Sequence, residues 1–357
     1  MQIDKNFWHG KKIFLTGHTG FKGSWMSLWL SLLGANVRGY SLGPPTSPSL
    51  YEEAEIASLV DSHIGDIRNY DKLCKSMTDF EPDILIHMAA QPLVRYSYNH
   101  PRETYEVNVM GTVNVLEIAR SCTKLKSIVN ITSDKCYEND DRIGGYTEND
   151  SMGGYDPYSS SKGCSELVIS AYRRSFIQEL KIGLASVRAG NVIGGGDWAD
   201  DRLIPDILRS FEKKKALIVR YPNATRPWQH VLEPLSGYLI LAQKLFENPD
   251  KYSQGWNFGP LDKDIKSVDW ILKEMSLNWP GSSWNLDVGS NPHEAGILRL
   301  DISKAQSELG WRPYWSLDKT LKKIVNWHQS WLNKENMKTV CFSEIEEYMK
   351  DMKNEKS

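Results

Sequence analysis

In the first half of the chain, short apolar runs alternate with segments whose apolar residues recur at helical spacing. Apolar runs bounded by glycine or polar residues predict buried strands at 12–16, 36–40, 83–88, 127–132 and 182–187. Helical spacing predicts helices at 21–33, 101–122 and 159–176, the first of which stops at Gly34. Strands separated by helices predict an α/β fold of Rossmann type, with a parallel sheet and helices on both faces.

From about residue 191 the pattern changes, beginning with the triple glycine 194–196. Shorter helices are predicted at 205–214, 235–246, 268–277, 303–309 and 317–331, with small strands between them. The sequence therefore predicts a dinucleotide-binding domain at 1–190. A smaller, mixed C-terminal substrate lobe at 191–357 is predicted to interleave with its end. The polar loop 138–156 lies where it could cover a site.

Composition excludes several classes of protein. The 357 residues carry a net charge of −2, which argues against a nucleic-acid surface or a membrane patch. The five cysteines are scattered without a Cys-x-x-Cys pair, so neither a disulfide framework nor a metal site is predicted. No apolar run reaches about 18 residues, which argues against a membrane span. These features favour a cytoplasmic protein.

A glycine run between the first strand and the first long helix predicts a dinucleotide site. Gly17 permits the tight turn, Gly20 lets the backbone approach a pyrophosphate, and Gly23 allows close packing of helix on strand. The phosphates are then expected at the helix N-terminus, beside Phe21 and Lys22, where free N–H groups favour negative charge.

The choice between NAD and NADP stays open at this point. The second strand ends without the carboxylate that usually holds the adenosine ribose of NAD. Arg38 on that strand is a candidate for a 2′-phosphate or an ordinary surface residue. Asp66, followed by Ile67, is a candidate partner for the adenine amino group or a simple turn residue.

Tyr158 and Lys162 are four positions apart at the start of a predicted helix, so both side chains lie on one face. A tyrosine with its ordinary pKa of about 10 is a poor base at neutral pH. A neighbouring ammonium, together with a positive nicotinamide ring, is expected to lower that pKa. The pair therefore predicts hydride transfer at an alcohol.

Three polar residues follow the predicted strand 127–132: Ser133, Asp134 and Lys135. Parallel sheets bind ligands at the carboxyl ends of their strands, so Ser133 is placed to hydrogen-bond the reacting hydroxyl. Thr132 before it is a predicted cofactor contact. A simple alcohol dehydrogenase does not need Asp134 and Lys135. A dehydratase needs an acid and a base here, each contributing roughly 10²–10⁴-fold, although a structural ion pair is the alternative.

Several motifs together resemble the nucleotide-sugar 4,6-dehydratases, a family of extended short-chain dehydrogenase/reductases. The motifs are TGHTGFKG at 16–23, HMAAQ at 87–91, NVMGT at 108–112, Tyr158 with Lys162, RAGNV at 188–192, RPWQHV at 226–231 and WNFG at 256–259. Within that family, TSDKCY at 132–137, PLVR at 92–95 and GGGDW at 194–198 resemble the members that act on CDP-glucose.

The resemblance implies an NAD-dependent lyase, with NADP not excluded. It would convert CDP-glucose to CDP-4-keto-6-deoxy-glucose and water by C4 oxidation, C5/C6 elimination and hydride return to C6. Such a product resembles a precursor of the deoxyhexoses in bacterial surface polysaccharide, including lipopolysaccharide. By the same resemblance Asp134 is the acid for the 6-hydroxyl, and Lys135 takes the place of the base. A homo-oligomer, dimer or tetramer, is also implied.

The remaining roles are carried over by position. Ala89, Ala90 and Gln91 would line the nicotinamide, and Asn108 would support the active-site backbone. The residues predicted to bind the substrate are Arg95, Ser133, Arg188, Asn191, Arg226 and His293.

Two other functions are consistent with parts of the sequence. A nucleotide-sugar 4-epimerase or dehydrogenase shares the glycine run, Tyr158 and Lys162, but has no need of Asp134 and Lys135. A non-catalytic NAD(P)-sensing regulator of the same fold tends to lose the Tyr/Lys pair, which this chain keeps.

Overall fold

A seven-stranded parallel sheet forms the centre of the molecule, in the order β10-β6-β5-β4-β1-β2-β3. The computed structural model describes residues 3–142, 144–219, 221–279, 283–286 and 298–354. The strands are β1 Lys12–Thr16, β2 Asn36–Ser41, β3 Asp61–Ile64, β4 Ile84–His87, β5 Ser127–Ile131, β6 Gly183–Ala189, β7 Asn191–Ile193, β8 Leu217–Val219, β9 Thr225–His230, β10 Gly255–Phe258, β11 Ile265–Ser267 and β12 Trp284–Leu286.

Helices cover both faces of this sheet. They are α1 Lys5–Trp8, α2 Phe21–Leu32, α3 Leu50–Glu53, α4 Tyr70–Phe80, α5 Val94–Asn99, α6 Pro101–Tyr105, α7 Gly111–Ala119, α8 Pro157–Tyr172, α9 Leu203–Glu212, α10 Leu232–Glu247, α11 Pro249–Tyr252, α12 Val268–Leu277, α13 Leu317–Leu332 and α14 Met337–Asn354. One apolar core packs α2, α10 and α14 against one face of the sheet. A second core packs α4, α7 and α8 against the other face.

The predicted Rossmann-type sheet is confirmed, with two differences in its outer parts. Strand β3 and helix α4 complete the half of the sheet beyond β2, where no elements were predicted. The predicted helix 101–122 is divided into α6, a π-helical turn Glu106–Met110 and α7.

The smaller lobe contains two short sheets. In one, β9 pairs antiparallel with β11 and parallel with β7, and in the other β8 and β12 are parallel. A third apolar core joins α9, α12 and α13 in this lobe. Strand β10 leaves the lobe and pairs with β6, so the sheet extends across the boundary predicted at residue 190.

The strand order reverses between β1 and β4, which are neighbours in the sheet. From β1 the chain passes outward through β2 and β3, and from β4 it passes outward on the other side. A crevice opens at such a switch point, at the carboxyl ends of the strands. The polar residues predicted to be functional lie at this end.

Candidate active site

The turn between β1 and α2 is built for close backbone approach. Gly17 has φ +80°, a left-handed conformation that side chains disfavour, and a Cβ there would lie 2.7 Å from the Ala89 backbone nitrogen. A Cβ on Gly23 would overlap the Gly17 carbonyl. The first helical hydrogen bond runs from Ser24 N to Gly20 O at 2.8 Å. The N–H groups of residues 21–23 therefore face out of the helix N-terminus, ready for an anion.

Arg38, considered above for a 2′-phosphate, is bound elsewhere. Its Nε donates to Asp61 at 2.6 Å, its Nη1 donates to the Ser76 carbonyl at 3.2 Å, and its guanidinium packs over the Phe80 ring. This arrangement ties Arg38 to α4 and the outer strands. It offers no support for a 2′-phosphate contact.

Asp66 follows β3 at the same end of the sheet. One carboxylate oxygen accepts from the Arg68 backbone N–H at 2.8 Å, and the other forms an ion pair with the Arg68 guanidinium at 2.6 Å. Arg68 thereby lowers the pKa of Asp66. The next residue, Ile67, is buried against Gly111 at the start of α7. Adenine recognition by Asp66 and Ile67 stays a prediction.

The end of β4 is held in shape by hydrogen bonds from neighbouring elements. Asn108 accepts from Gln91 N at 2.9 Å and donates to Gln91 O at 3.1 Å. Its amide also donates to Ser161 Oγ on α8 at 2.9 Å. Asn108 thus fixes the backbone beside the half-buried Ala89 and Ala90 relative to the catalytic helix.

Tyr158 and Lys162 lie on the first turns of α8 and are both buried, 8% and 5% exposed. Asp156 caps this helix by accepting from Ser159 N at 3.0 Å. The Lys162 ammonium lies 3.4 Å from the Ile131 carbonyl at the end of β5. Burial lowers the pKa of Lys162 to about 8.

The expected lowering of the Tyr158 pKa is not produced by the protein groups themselves. Burial raises the pKa of Tyr158 to about 12, and nearby Asp134 and Asp156 add to the rise. A hydrogen bond with Ser133 and the charge of Arg202 oppose it. The prediction from Lys162 omitted the cost of taking a phenolate out of water.

Asp134, Lys135 and Cys136 form a short 3₁₀ turn after β5, capped by Ser133 and directly beside α8. Ser133 Oγ donates to Asp134 Oδ1 at 3.0 Å and accepts from Lys135 N at 3.2 Å. The Asp134 side chain is buried, and its burial raises the pKa of the carboxyl group. Lys135 is half-buried. A carboxyl group that holds its proton can act as an acid.

Two cations that were not predicted as catalytic groups complete this cluster. Lys22 extends from the start of α2 toward Lys162, Arg202 and Asp134, and burial next to the two cations lowers its pKa to about 8. Arg202, which precedes α9, forms an ion pair with Asp197 at 2.8 Å. Asp197 belongs to the GGGDW motif. Its ion pair with Arg202 is the one link by which the sequence could have pointed to Arg202.

The structure gives Arg188 protein partners, and substrate binding by Arg188 stays a prediction. The Arg188 side chain is buried, and its guanidinium is held by both carboxylate oxygens of Glu166 at 2.8 and 2.9 Å and by the Tyr137 hydroxyl. Its side chain extends from β6 toward α8, and a sequence motif does not reveal that direction. Thr132, a predicted cofactor contact, also donates its hydroxyl to Glu166 at 2.5 Å.

The remaining predicted substrate contacts are spread around the rim. Arg95 forms an ion pair with Asp201 at 3.1 Å. Asn191 opens β7, and Arg226 lies on the neighbouring β9, close enough to Asp134 to lower its pKa slightly against the effect of burial. His293 lies outside the described residues.

Other site types are not present in the described parts of the chain. There, no group of three or more His, Cys, Asp or Glu residues could hold a metal ion. Within the same parts, no helix combines the length and apolar character needed to cross a membrane. All five cysteines are free thiols.

The fold and this cluster define the class of protein. A glycine turn at the switch point, with a Tyr/Lys pair on the helix that follows the fifth strand, is the arrangement of an extended short-chain dehydrogenase/reductase. Residues 14–324 match the family described as GDP-mannose 4,6 dehydratase. The chain belongs to this family of nucleotide-sugar 4,6-dehydratases.

Individual relatives lie within the same group. The chain is 58% identical over 353 residues to the CDP-glucose 4,6-dehydratase of Salmonella typhimurium, which covers 97% of this chain and 98% of the relative. Its fold is similar to that of dTDP-glucose 4,6-dehydratase from Bacillus anthracis in complex with NAD, with TM-score 0.75, 19% identity and coverage of 92% and 100%. It is also similar to UDP-glucose-4-epimerase from Stenotrophomonas maltophila with bound NAD, with TM-score 0.79, 19% identity and coverage of 90% and 99%.

Proposed function

We propose that the protein is a hydro-lyase that converts CDP-glucose to CDP-4-keto-6-deoxy-glucose and water with NAD as a recycled cofactor. The 58% identity to a CDP-glucose 4,6-dehydratase over nearly the full length supports the substrate. The observation that carries the reaction type is Asp134, a buried carboxyl group with a raised pKa beside Tyr158. An epimerase or a simple dehydrogenase has no step that requires such an acid.

The turn after β1 fits a dinucleotide. Side chains are excluded at Gly17 and Gly23, and the N–H groups of residues 21–23 face outward for a pyrophosphate. Arg38 is bound to Asp61, which favours NAD over NADP. When bound, NAD accepts a hydride from the sugar and later returns it.

Tyr158 is the proposed base for the C4 hydroxyl. Its hydroxyl is buried next to Ser133, which would hold the same sugar oxygen. Because burial holds the pKa of Tyr158 at about 12, proton removal requires positive charge nearby. Arg202 supplies part of that charge, and a positively charged nicotinamide ring would supply more.

Asp134 is the proposed acid for elimination. The C4 ketone makes the C5 proton acidic, and loss of that proton expels the 6-hydroxyl once Asp134 protonates it. Lys135 is the proposed acceptor of the C5 proton, and a lysine accepts a proton only in its neutral form. Burial lowers the pKa of the neighbouring Lys22 to about 8, so this amine of the same cluster gives up its proton more easily than an exposed lysine.

The cationic rim is the proposed phosphate site. Arg226 and Asn191 lie on adjacent strands of the small lobe, and Arg95 lies across the crevice. His293 stays part of this proposal by resemblance. Guanidinium groups suit the pyrophosphate of a nucleotide sugar because they bind oxygen atoms bidentately.

Incubation with NAD and separate CDP-, dTDP-, GDP- and UDP-glucose tests the proposal. CDP-glucose is expected to give the 4-keto-6-deoxy product, detected by its absorbance in alkali and by mass. Tyr158→Phe should lower this turnover by about 10³-fold or more, because it removes the base for the first step. Tyr155→Phe, a fully conservative change at an exposed position near the helix, is the matched control. Water loss from none of the four sugars would contradict the proposed reaction.

A cytoplasmic homo-oligomer, dimer or tetramer, is also proposed. Free cysteines fit a reducing compartment. Met110 and Leu167 lie on adjoining helical segments and are 51% and 62% exposed, which favours burial against a second subunit. Light scattering of the purified protein gives the subunit number, and a monomer would contradict this part.

A further inference from the structure

A second cavity lies behind the catalytic helix, away from the crevice that holds Tyr158. Its volume is about 350 Å³. It is bounded by the later turns of α8, the second half of β6, the start of β10, the segment 148–152 and the residue before the 305–309 turn. Glu166 and Arg188 line it, whereas Lys162 does not. The Glu166–Arg188 pair therefore separates this cavity from the catalytic lysine.

Positive charge dominates the wall of the cavity. Arg173 donates from Nε to the Leu184 carbonyl at 2.9 Å, and Lys304 donates to the Gly255 carbonyl at 2.9 Å. Among the described residues neither forms an ion pair with a carboxylate. Burial lowers the pKa of Arg173 to about 10 and also lowers that of Lys304. Glu166 acts against this shift at Arg173, and Glu148 and Glu308 act against it at Lys304.

The two carboxylates on the wall leave this charge unbalanced. Glu166 is already neutralised by Arg188 at 2.8 Å and receives hydroxyl donors from Thr132 and Ser186. Glu148 accepts from Asn257 N at 2.9 Å, and burial raises its pKa, which disfavours its charged form. The wall thus carries three cations, Arg173, Arg188 and Lys304, against two carboxylates, and the excess of positive charge is suited to a small anion.

We propose that this cavity binds a small oxyanion of the phosphate class between Arg173 and Lys304, and that the bound anion acts on Lys162 through Arg188 and Glu166. An anion here attracts the Arg188 guanidinium, whose Nη1 already reaches the Glu148 carbonyl at 3.4 Å on the cavity side. Weaker contact between Arg188 and Glu166 leaves more negative charge facing Lys162. The negative charge of the bound anion itself also stabilises the ammonium form of Lys162.

Lys162 is able to respond because Glu166 lies one helical turn away on the same face and raises its pKa. The other titratable groups facing Lys162 are Cys136 after β5, Lys22 at the start of α2 and His87 on β4. None of these three lines the cavity. The bound anion is thus expected to raise the pKa of Lys162 and keep its ammonium form to higher pH.

Binding is tested by calorimetric titration of inorganic phosphate into the full-length protein. Saturating NAD and CDP are present to occupy the nucleotide phosphate sites, and chloride holds the ionic strength constant. We expect saturable binding of one phosphate per chain, weakened about tenfold or more by Arg173→Gln and by Lys304→Met. Lys126→Met, an exposed lysine away from the cavity, should bind phosphate as the parent does.

Thermal unfolding shows whether each variant is folded. If one of the two variants fails to fold, the other alone is enough to test phosphate binding. Absence of saturable binding to the parent protein overturns the proposal, and so does equal affinity in a folded Arg173→Gln or Lys304→Met variant. This measurement does not depend on the enzyme's substrate.

The coupling to Lys162 rests on the proposed function and is tested separately by the pH profile of CDP-glucose turnover. Phosphate should move the alkaline limb of the profile to higher pH in the parent and in Lys126→Met, and leave it unchanged in Lys304→Met. A limb that phosphate does not move in the parent overturns the coupling. Absence of turnover altogether contradicts the proposed function instead, while phosphate binding would still be measurable.

Discussion

Two carboxylates at the catalytic helix are similarly buried, yet the protein shifts their pKa values in opposite directions. Glu166 and Asp134 are 5% and 4% exposed. Glu166 receives a bidentate Arg188 and two hydroxyl donors, and its pKa is lowered. No cation among the described residues lies within ion-pair distance of Asp134, and its pKa is raised.

This comparison teaches that the partners of a buried carboxylate, and not its depth, decide its charge. A fully paired carboxylate is fixed in its ionised form and contributes to structure. An unpaired one has a raised pKa, so it takes up a proton more readily and can then give it away. The predictions below test the two halves of this contrast.

Asp134→Asn is expected to have the largest effect, a loss of roughly 10²–10⁴-fold in product formation. An amide cannot protonate the departing 6-hydroxyl, whereas oxidation at C4 should continue. Rapid mixing should therefore show reduced cofactor accumulating while the 4-keto-6-deoxy product forms slowly. The control is Asp79→Asn, an exposed carboxylate on α4. Full turnover by Asp134→Asn would remove it as the acid.

Glu166→Gln should mainly lower stability, by roughly 3–5 kcal/mol, because it leaves the Arg188 charge buried without a counter-charge. Urea unfolding monitored by tryptophan fluorescence measures the change. The double variant Glu166→Gln with Arg188→Met should recover much of the loss, since no unpaired charge then remains. If Glu166→Gln alone were as stable as the parent, the Glu166–Arg188 ion pair would not be what stabilises the packing of α8 against β6.

A third buried carboxylate, Glu233 on α10, has neutral donors only. It is fully buried and accepts from the backbone N–H groups of Tyr314 and Trp315 and from the Tyr348 hydroxyl. Burial raises its pKa from 4.5 to about 7. The protonated form is favoured by folding, so its contribution is complete below pH 4.5 and is lost as pH rises through 7.

Glu233→Gln should therefore flatten part of the stability profile over this window. The parent is expected to lose on the order of 3 kcal/mol from this group between the two pKa values, and the variant should lose none of it. Denaturant unfolding at several pH values across the window measures the difference. Glu247→Gln, on an exposed part of the same helix, should leave the slope unchanged. Identical slopes in Glu233→Gln and the parent would contradict the raised pKa.

Sequence patterns predicted those strands and helices that depend on the spacing of neighbouring residues. Strand β1 and helix α12 were predicted at the observed bounds, because apolar runs and helical periodicity are local signals. Strand β3, Asp61–Ile64, was missed since three of its four residues are polar and it lies at the sheet edge. Helix α14 was missed although its apolar face packs on α2, because no partner is visible in sequence.

The residues of the candidate active site divide in the same way, into those that local spacing predicts and those that depend on distant parts of the chain. The glycine turn and the Tyr158/Lys162 pair are each contained in a few consecutive residues. Arg202 and Glu166 act through space, from a loop and from a later helical turn. The direction of the Arg188 side chain and the extent of burial around Tyr158 depend on packing from distant elements. Spacing alone could therefore reveal neither the Glu166–Arg188 ion pair nor the raised pKa of Tyr158.

The position of strand β10 affects how this enzyme can be made. Until residues 255–258 have left the ribosome, β6 has an open edge whose backbone groups are free to pair with another polypeptide. A truncated product that ends anywhere between 190 and 254 would carry the complete glycine turn and the Tyr/Lys pair and still expose that edge. Frameshifts in this stretch are thus expected to yield aggregation-prone fragments. If the enzyme were expressed as two separate fragments, the second fragment would need to begin well before residue 255.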